Sequence, residues 1–380
     1  MARIRLSVLG LVVLALVLAA CGDQAPTGQS PAQTDATGPA ETTAESPEQT
    51  AGEPTAPTGG RLDAVRDRGQ LICGVNGELP GFSVVNDQGD MEGFDADFCR
   101  AIAAAVLGDA NAVEFRTLST DQRGPALQTG EVDVLIRNTT WTVSRDTQWG
   151  LFAPTTFYDG QAVMVRADVG AETFADLDGA TICVQSGTTT ELNLADAERE
   201  AGIEIQEDVY ADIDPTYQAY EEEACDGVTS DRSQLVARRT EFANPDDHVI
   251  LEETLSKEPL GPVAPLGDEE WFNVVKWTVF ATIEAEELGI TSENVEDEAA
   301  NSTNPVVQRL LGVTPQEAEP FESGLGLEAE WVVDVISQVG NYGEIFDRNL
   351  GPGTPFELER GLNALWTDDP PGLLYAPPYR

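Results

Sequence analysis

Residues 134–145 read V-L-I-R-N-T-T-W-T-V-S-R: a short apolar run, then an amide, two hydroxyls and, at the far end, an arginine. Val, Leu and Ile after the helix-breaking Gly130 predict an inner strand. Asn138, Thr139 and Thr140 follow at its carboxyl end, where ligands sit in open α/β sheets. The Arg145 guanidinium can hold a carboxylate through two parallel charge-assisted hydrogen bonds, a geometry lysine does not offer. A plain surface arginine after a strand fits the same spacing, and these residues alone leave both readings open.

Covalent chemistry finds less support. The one histidine, His248, lies in a turn-like N-P-D-D-H before V-I-L and reads as a surface residue, so a serine or cysteine nucleophile lacks its base. Cys73, Cys99, Cys183 and Cys225 contain no C-x-x-C pair, which argues against zinc. An even number of cysteines in an exported body points to disulfides with three possible connectivities; two fall early and two late, which favours Cys73 with Cys99 and Cys183 with Cys225. Asp212, Asp214 and Glu221 to Glu223 read as a solvated loop and helix face rather than a calcium site. No cofactor or metal is expected.

The elements that must position these residues come in two successive α/β halves. Strands are predicted over 71–75, 112–118 and 132–136, with helices over 93–107 and 123–129. The second half predicts strands over 180–184, 203–209 and 227–229 and helices over 189–201 and 217–224. An extended run over 161–166 crosses to the second lobe and 260–264 returns, so the expected lobes are 61–164 with 261–380 and, between them, 165–260. Two crossings make a hinge with a ligand cleft beside it. After Trp271 the chain reads as helical, its tryptophans in the core.

Ahead of this body, residues 1–20 carry Arg3 and Arg5, an apolar run and then L-A-A-C, the pattern of a lipoprotein signal cleaved before Cys21. The expected outcome is an extracytoplasmic protein tethered by lipid on Cys21 to the outer face of the cell membrane, or to its periplasmic side where an outer membrane is present. Residues 21–60, rich in Pro, Thr, Ala, Gly and Glu, read as a flexible tether. The whole chain holds 67 acids and 21 bases. Six of the acids and two arginines precede Arg61, which leaves 61 acids against 19 bases in the body. Such a field argues against nucleic acid as a partner and suits a salt-rich medium.

With these features in place, the chain resembles the extracellular solute-binding proteins of amino-acid ABC importers, in particular their general L-amino-acid-binding branch. The resemblance rests on C-G-V-N-G-E-L-P-G-F-S from Cys73, R-N-T-T-W-T-V-S-R-D from Arg137, I-C-V-Q-S-G-T-T-T-E-L-N-L-A-D from Ile182, C-D-G-V-T-S-D from Cys225 and V-G-N-Y-G-E-I-F-D-R-N from Val339, and it extends over most of 61–380. It implies a two-lobe, type II periplasmic-binding fold that passes L-amino acids to ABC permease subunits without chemistry. A dehydratase of the cyclohexadienyl or arogenate kind on the same fold is the alternative.

The resemblance also implies roles. Arg145 holds the ligand α-carboxylate, helped by Thr140 within the turn of Asn138 and Thr139, and by Thr188 and Thr189 of the second lobe. Thr189 opens a helix whose free N–H groups favour an anion. Asp231 binds the α-ammonium, although an aspartate there also suits a helix N-cap. Leu79 stands where relatives selective for basic amino acids place an aromatic, which implies a broad apolar wall. Glu78 and Phe82 are expected to line the side-chain pocket with Gly77, and Arg137 either meets acidic side chains or pairs with the acidic surface.

Overall fold

Short apolar strands alternating with helices build two separate sheets in a computed structural model that describes residues 60–314 and 321–380. The signal segment, Cys21 and the tether up to residue 59 lie outside the described residues. In the first sheet the strand order is Val113–Thr117, Leu71–Val75, Val134–Leu135, Val263–Pro265, Gly150–Phe152. Its first three strands are parallel, and Val263–Pro265 runs antiparallel to both neighbours. The second sheet runs Gln206–Tyr210, Thr181–Gln185, Gly227–Asp231, Phe157–Arg166, His248–Ile250, and Ser256–Leu260 also pairs with Phe157–Arg166. A small antiparallel sheet of Glu78–Leu79, Ser83–Val85 and Met91–Glu92 flanks the first.

The chain leaves the first sheet after Phe152 and enters the second at Phe157; it returns between Leu260 and Val263. The expected outward crossing over 161–166 therefore belongs to the interior of the second sheet. That run is apolar because it is paired on both sides, with Gly227–Asp231 and with His248–Ile250 and Ser256–Leu260.

The crossing is anchored by the C-terminal part of the chain. Phe157 packs edge-on to Phe82 and Phe94 and stacks on Phe346. The Tyr342 hydroxyl donates to the Thr156 carbonyl at 2.8 Å. Asn363 receives the Tyr158 N–H at 2.7 Å and donates back to its carbonyl at 3.1 Å. Trp271 at the start of the helix Glu269–Glu287 is fully buried and donates its indole N–H to Asp133 O at 2.8 Å, so it is a core residue as expected.

Cys73 is joined to Cys99 and Cys183 to Cys225, the expected pairing. The first bond ties the strand Leu71–Val75 to the helix Phe94–Leu107, and the second ties Thr181–Gln185 to the entry of Gly227–Asp231. In the chain-entropy account each contributes about 3 to 4 kcal/mol. Asp208 lies beside Cys183 and Cys225, but their sulfurs are consumed by the disulfide and offer no thiolate to a metal. His248 is partly buried, and its Nδ1 meets the Tyr220 hydroxyl at 2.8 Å. Among the described residues no helix is long and apolar enough to cross a membrane.

The formal charge of −46 opposes compaction. The melting temperature should rise between about 50 mM and about 1 M KCl, where the screening length drops to roughly 3 Å. A flat curve in scanning calorimetry would show that like-charge repulsion does not limit stability.

Candidate functional site

In the first lobe, the chain turns sharply after Val134–Leu135. Asn138 takes a left-handed φ of 32°, and its N–H donates to Asp95 Oδ2 at 2.8 Å. Thr139 is fully buried and donates its hydroxyl to Arg137 O at 2.8 Å. Thr142 then caps the short helix Val143–Gln148 by accepting the Arg145 N–H. This placement folds the buried Arg145 guanidinium back over the Trp149 ring, 5.0 Å from its centre, with Nη1 donating to Thr140 O at 3.1 Å. Arg123, also buried, lies over the ring of the same tryptophan at 5.4 Å. Gly124 makes room for that ring, since a Cβ there would meet the indole nitrogen at 2.9 Å.

In the second lobe, Gly187 at φ 71° turns the chain into the helix Thr189–Ala201. The Thr188 hydroxyl caps that helix by accepting the Glu191 N–H at 3.1 Å. The Thr189 hydroxyl donates to Glu258 Oε2 at 2.8 Å. Its 3.3 Å contact with the Thr140 hydroxyl then has Thr140 as donor, because the one Thr189 proton is already given to Glu258.

Asp231 closes the strand Gly227–Asp231 at the N-cap position of the helix Arg232–Arg239, yet its side chain makes no cap bond. Asp159 makes that bond instead: its Oδ2 accepts the Ser233 N–H at 3.1 Å. The capping requirement is thus met from the neighbouring strand, and the Asp231 carboxylate is left to face the cleft.

The two lobes meet here. Arg123 and Arg145 both reach across to Gly187 O, at 3.3 and 3.5 Å. Gln185 donates to the Thr120 hydroxyl at 2.9 Å, and Asn138 donates to Gln234 at 3.3 Å. Between them lies a cavity of about 30 Å³ whose walls include Arg123, Thr140, Arg145, Thr188, Thr189 and Asp231. Among the described residues no ion pair joins Arg145 to Asp231. Burial lowers the Arg145 pKa, against the attraction of Asp231 and Glu258. Burial also raises the Asp231 carboxyl well above the ordinary range, with Asp159 and Glu258 adding to the shift and Arg145 and Arg123 opposing it. One wall is cationic and another anionic, which complements a small molecule carrying both charges.

Residues 71–294 match the family of bacterial extracellular solute-binding proteins, family 3. The chain belongs to this family. It is 48% identical over 320 residues to the general L-amino acid-binding periplasmic protein AapJ of Rhizobium johnstonii, covering 84% of this chain and 92% of the relative. It is 46% identical over 320 residues, 84% of this chain and 93% of the relative, to the glutamate/glutamine/aspartate/asparagine-binding protein BztA of Rhodobacter capsulatus. An ABC transporter periplasmic binding protein from Brucella ovis, solved with glutathione bound, superposes with a TM-score of 0.81 at 48% identity, over 85% of this chain and all of that one. The expected family and two-lobe type II fold stand. These relatives are named as binding proteins, the Brucella one of an ABC transporter, which sets the dehydratase alternative aside.

Within this solute-binding fold the expected site residues divide. Arg145, Thr140, Asn138, Thr188, Thr189 and Asp231 converge on the cavity, and Thr139 is buried in the turn behind it. Leu79 and Phe82 do not reach it: both are fully buried in the core of the first lobe, Phe82 against Phe94 and Phe157. Strand alternation gives the reason, since Glu78 and Leu79 are successive residues paired to Val84 and Ser83, so Leu79 turns inward and Glu78 outward. The expected apolar wall at Leu79 is therefore corrected. The spacing gave no sign of Arg123, Gln185 or Gln234. Nor did it mark Asp159 and Glu258, which only the register of two crossing strands brings opposite each other.

Burial is also the main cause that raises Asp95 to about 7, against its bond from Asn138 and the nearby Arg137, and Asp159 to about 6. Each binds its proton more tightly folded than unfolded. Their contribution to stability is thus full below the ordinary carboxylate range and is lost as pH rises through about 6 to 7. At constant molar salt, the melting temperature of the ligand-free protein should fall between about pH 5.5 and about pH 8, and Asp95→Asn should flatten that fall. A melting temperature that climbs over the same window would contradict the assignment.

Proposed function

We propose that this protein captures free L-amino acids outside the cell membrane and delivers them to the permease of an ABC importer. The observation that carries the reading is a buried arginine and a buried aspartate, held unpaired by opposite lobes and facing one cavity. Arg145 receives the α-carboxylate and exchanges its bond to Gly187 O for the ligand. Asp231 receives the α-ammonium. Because the Thr189 hydroxyl is committed as a donor to Glu258, the second lobe offers the carboxylate backbone N–H groups at the start of the helix Thr189–Ala201, and Thr140 exchanges its bond to Thr189 for one to the ligand. Asn138, Thr139 and Thr188 hold the two turns. AapJ and BztA, named for amino-acid binding, support the ligand class, and glutathione bound to the Brucella protein carries the same α-amino acid head group.

On this reading the lobe boundary on the outward crossing lies at 153–156 rather than at 164, which the span of the strand Phe157–Arg166 supports. The anchor is the finer part of the proposal: L-A-A-C before Gly22 supports lipidation at Cys21, which would keep the protein at the membrane that holds its permease. Mass spectrometry of the mature N-terminus tests it, with an unmodified or uncleaved Cys21 as the opposing result.

Isothermal titration against L-amino acids tests the capture. Arg145→Ala and Asp231→Asn should each weaken binding by about 2 to 5 kcal/mol, or roughly 30-fold and more, since each leaves a buried ligand charge unpaired. Decarboxylated amines and N-acetyl amino acids should bind the unaltered protein as poorly. If such analogues bind as tightly as the parent amino acids, the two-charge clamp is wrong.

A further inference from the structure

We infer that ligand capture at this site is a proton exchange: in the ligand-free protein the Asp231 carboxyl holds a proton, and the arriving ammonium expels it to solvent. The inference rests on the clamp reading above and adds the charge state from which the clamp starts.

Three acids share one face of the second sheet. Asp159 is paired with Glu258 across adjacent antiparallel strands, and Asp231 is paired with Gln161, which lies two residues along the strand from Asp159. Directly paired residues, and residues two apart on a strand, project to the same side. Glu258 is fully buried and Asp231 is 6% exposed, so water screens neither. Carboxylates gathered in such a place do not all ionise together, because each negative charge raises the cost of the next.

Hydrogen bonds decide which acid keeps the proton. Glu258 accepts from the Thr189 hydroxyl at 2.8 Å, the Asn193 amide at 2.9 Å and the Ser256 hydroxyl at 2.6 Å. Asp159 accepts two backbone N–H groups, from Gly160 at 2.8 Å and from Ser233 at 3.1 Å. Donors of this kind stabilise the charged form. Among the described residues no hydrogen bond or ion pair reaches the Asp231 carboxylate. Other groups that face it do not supply one. Arg145 and Arg123 attract it, but their bonds go to the carbonyl oxygens of Thr140, Thr120 and Gly187. Tyr217, which burial pushes up to about 12, is neutral. Asp231 is therefore the least stabilised of the three carboxylates. Its shift has the same direction: burial first, then Asp159 and Glu258, push it up against both arginines. An α-ammonium brings the missing donors and the missing charge, so the bound pair is carboxylate with ammonium and one proton leaves for each ligand held. Affinity then rises with pH below the pKa of the ligand-free carboxyl, by up to about tenfold per unit, and levels off above it.

Calorimetric titration of the protein with L-alanine and L-glutamine tests this at constant molar salt between about pH 5.5 and about pH 7.5, a range in which neither ligand changes charge. Near pH 6.5 each titration is run in phosphate and in imidazole, buffers with small and large heats of ionisation, and the difference in heat counts the protons released. About half a proton or more should leave per ligand bound, and affinity should be about tenfold or more tighter at the upper pH than at the lower. Asp159→Asn keeps an acceptor for the Ser233 N–H but removes one like charge. It should reduce the proton count and narrow the affinity gap between the two pH values by about threefold or more, whereas a merely structural role would weaken binding equally at both. Asp95→Asn alters a buried acid behind the turn of Asn138 and should leave the count in place. Melting curves confirm folding of each variant, and the unaltered protein decides the proton count by itself. Equal heats in the two buffers, an affinity that does not change with pH, an Asp159→Asn variant with an unchanged gap, or loss of the released proton in Asp95→Asn each overturn the inference while leaving the clamp intact. If neither amino acid binds at any pH, the clamp reading fails and this one falls with it.

Discussion

A cation and an anion are buried in one cleft without neutralising each other, and most of the surrounding structure follows from that constraint. Removing an ion from water costs several kcal/mol unless a partner is supplied. Arg145 has carbonyl oxygens and the face of Trp149 but, among the described residues, no carboxylate within ion-pair distance. Asp231 has the field of two arginines but also the repulsion of Asp159 and Glu258, and its raised pKa registers the imbalance. A zwitterion would correct both ends at once. Its binding free energy would include the relief of these two costs, which a molecule with one charge could provide only in part.

The same constraint places the site at the crossing. Asp159 and Glu258 sit opposite each other on the two strands that link the lobes, Phe157–Arg166 and Ser256–Leu260. Asp159 caps the helix after Asp231, which releases Asp231 toward the cavity, and Glu258 orients Thr189. The strands that carry the chain between lobes therefore also set the direction of the side chains that face the cavity. Phe157, Tyr342 and Asn363 fix the first-lobe end of that crossing. On the proposed reading, a change in lobe spacing alters the contacts of Arg123, Arg145 and Thr140 with the second lobe while the acids on the strands keep their places, so ligand affinity differs between open and closed arrangements, as population shift requires.

How much of this could be read from residues alone depended on whether local pattern or strand register decided the outcome. The parallel strands Leu71–Val75 and Thr181–Gln185, the helix Thr189–Ala201 and the disulfide pairing follow from hydrophobic runs, cap residues and cysteine positions, and they emerged close to expectation. The turn before Arg145 was legible because Asn, Thr and Arg cluster at one strand end. Leu79 and Phe82 were misplaced because a two-residue strand gives too little alternation to show which side faces inward. Asp159 and Glu258 were invisible for a different reason: they lie 99 positions apart, and only antiparallel pairing sets them side by side. Asp231 illustrates the limit most clearly, since an N-cap aspartate and a ligand-facing one have the same local sequence, and the difference rests on a bond made by another strand.

The charge of the body bears on the ligand in a way that its magnitude alone conceals. With 67 acids in the chain, the long-range field repels anions. An amino acid with a neutral side chain has no net charge, so that field does not change its energy of approach to first order. Salt screens what remains beyond roughly 8 to 10 Å. Inside the cleft individual contacts replace that field, because three buried arginines, Arg123, Arg137 and Arg145, line the cavity together with the buried Asp231. Discrimination by charge is thereby moved from the surface, where it would exclude acidic and admit basic molecules indiscriminately, to a few side chains at the site. There the outcome depends on which atom of the ligand meets which guanidinium. An acidic exterior and an arginine-bearing cleft are in this sense compatible demands: the first favours solubility, and on the proposed reading the second restores affinity for ligand oxygens only in the place where a ligand is held.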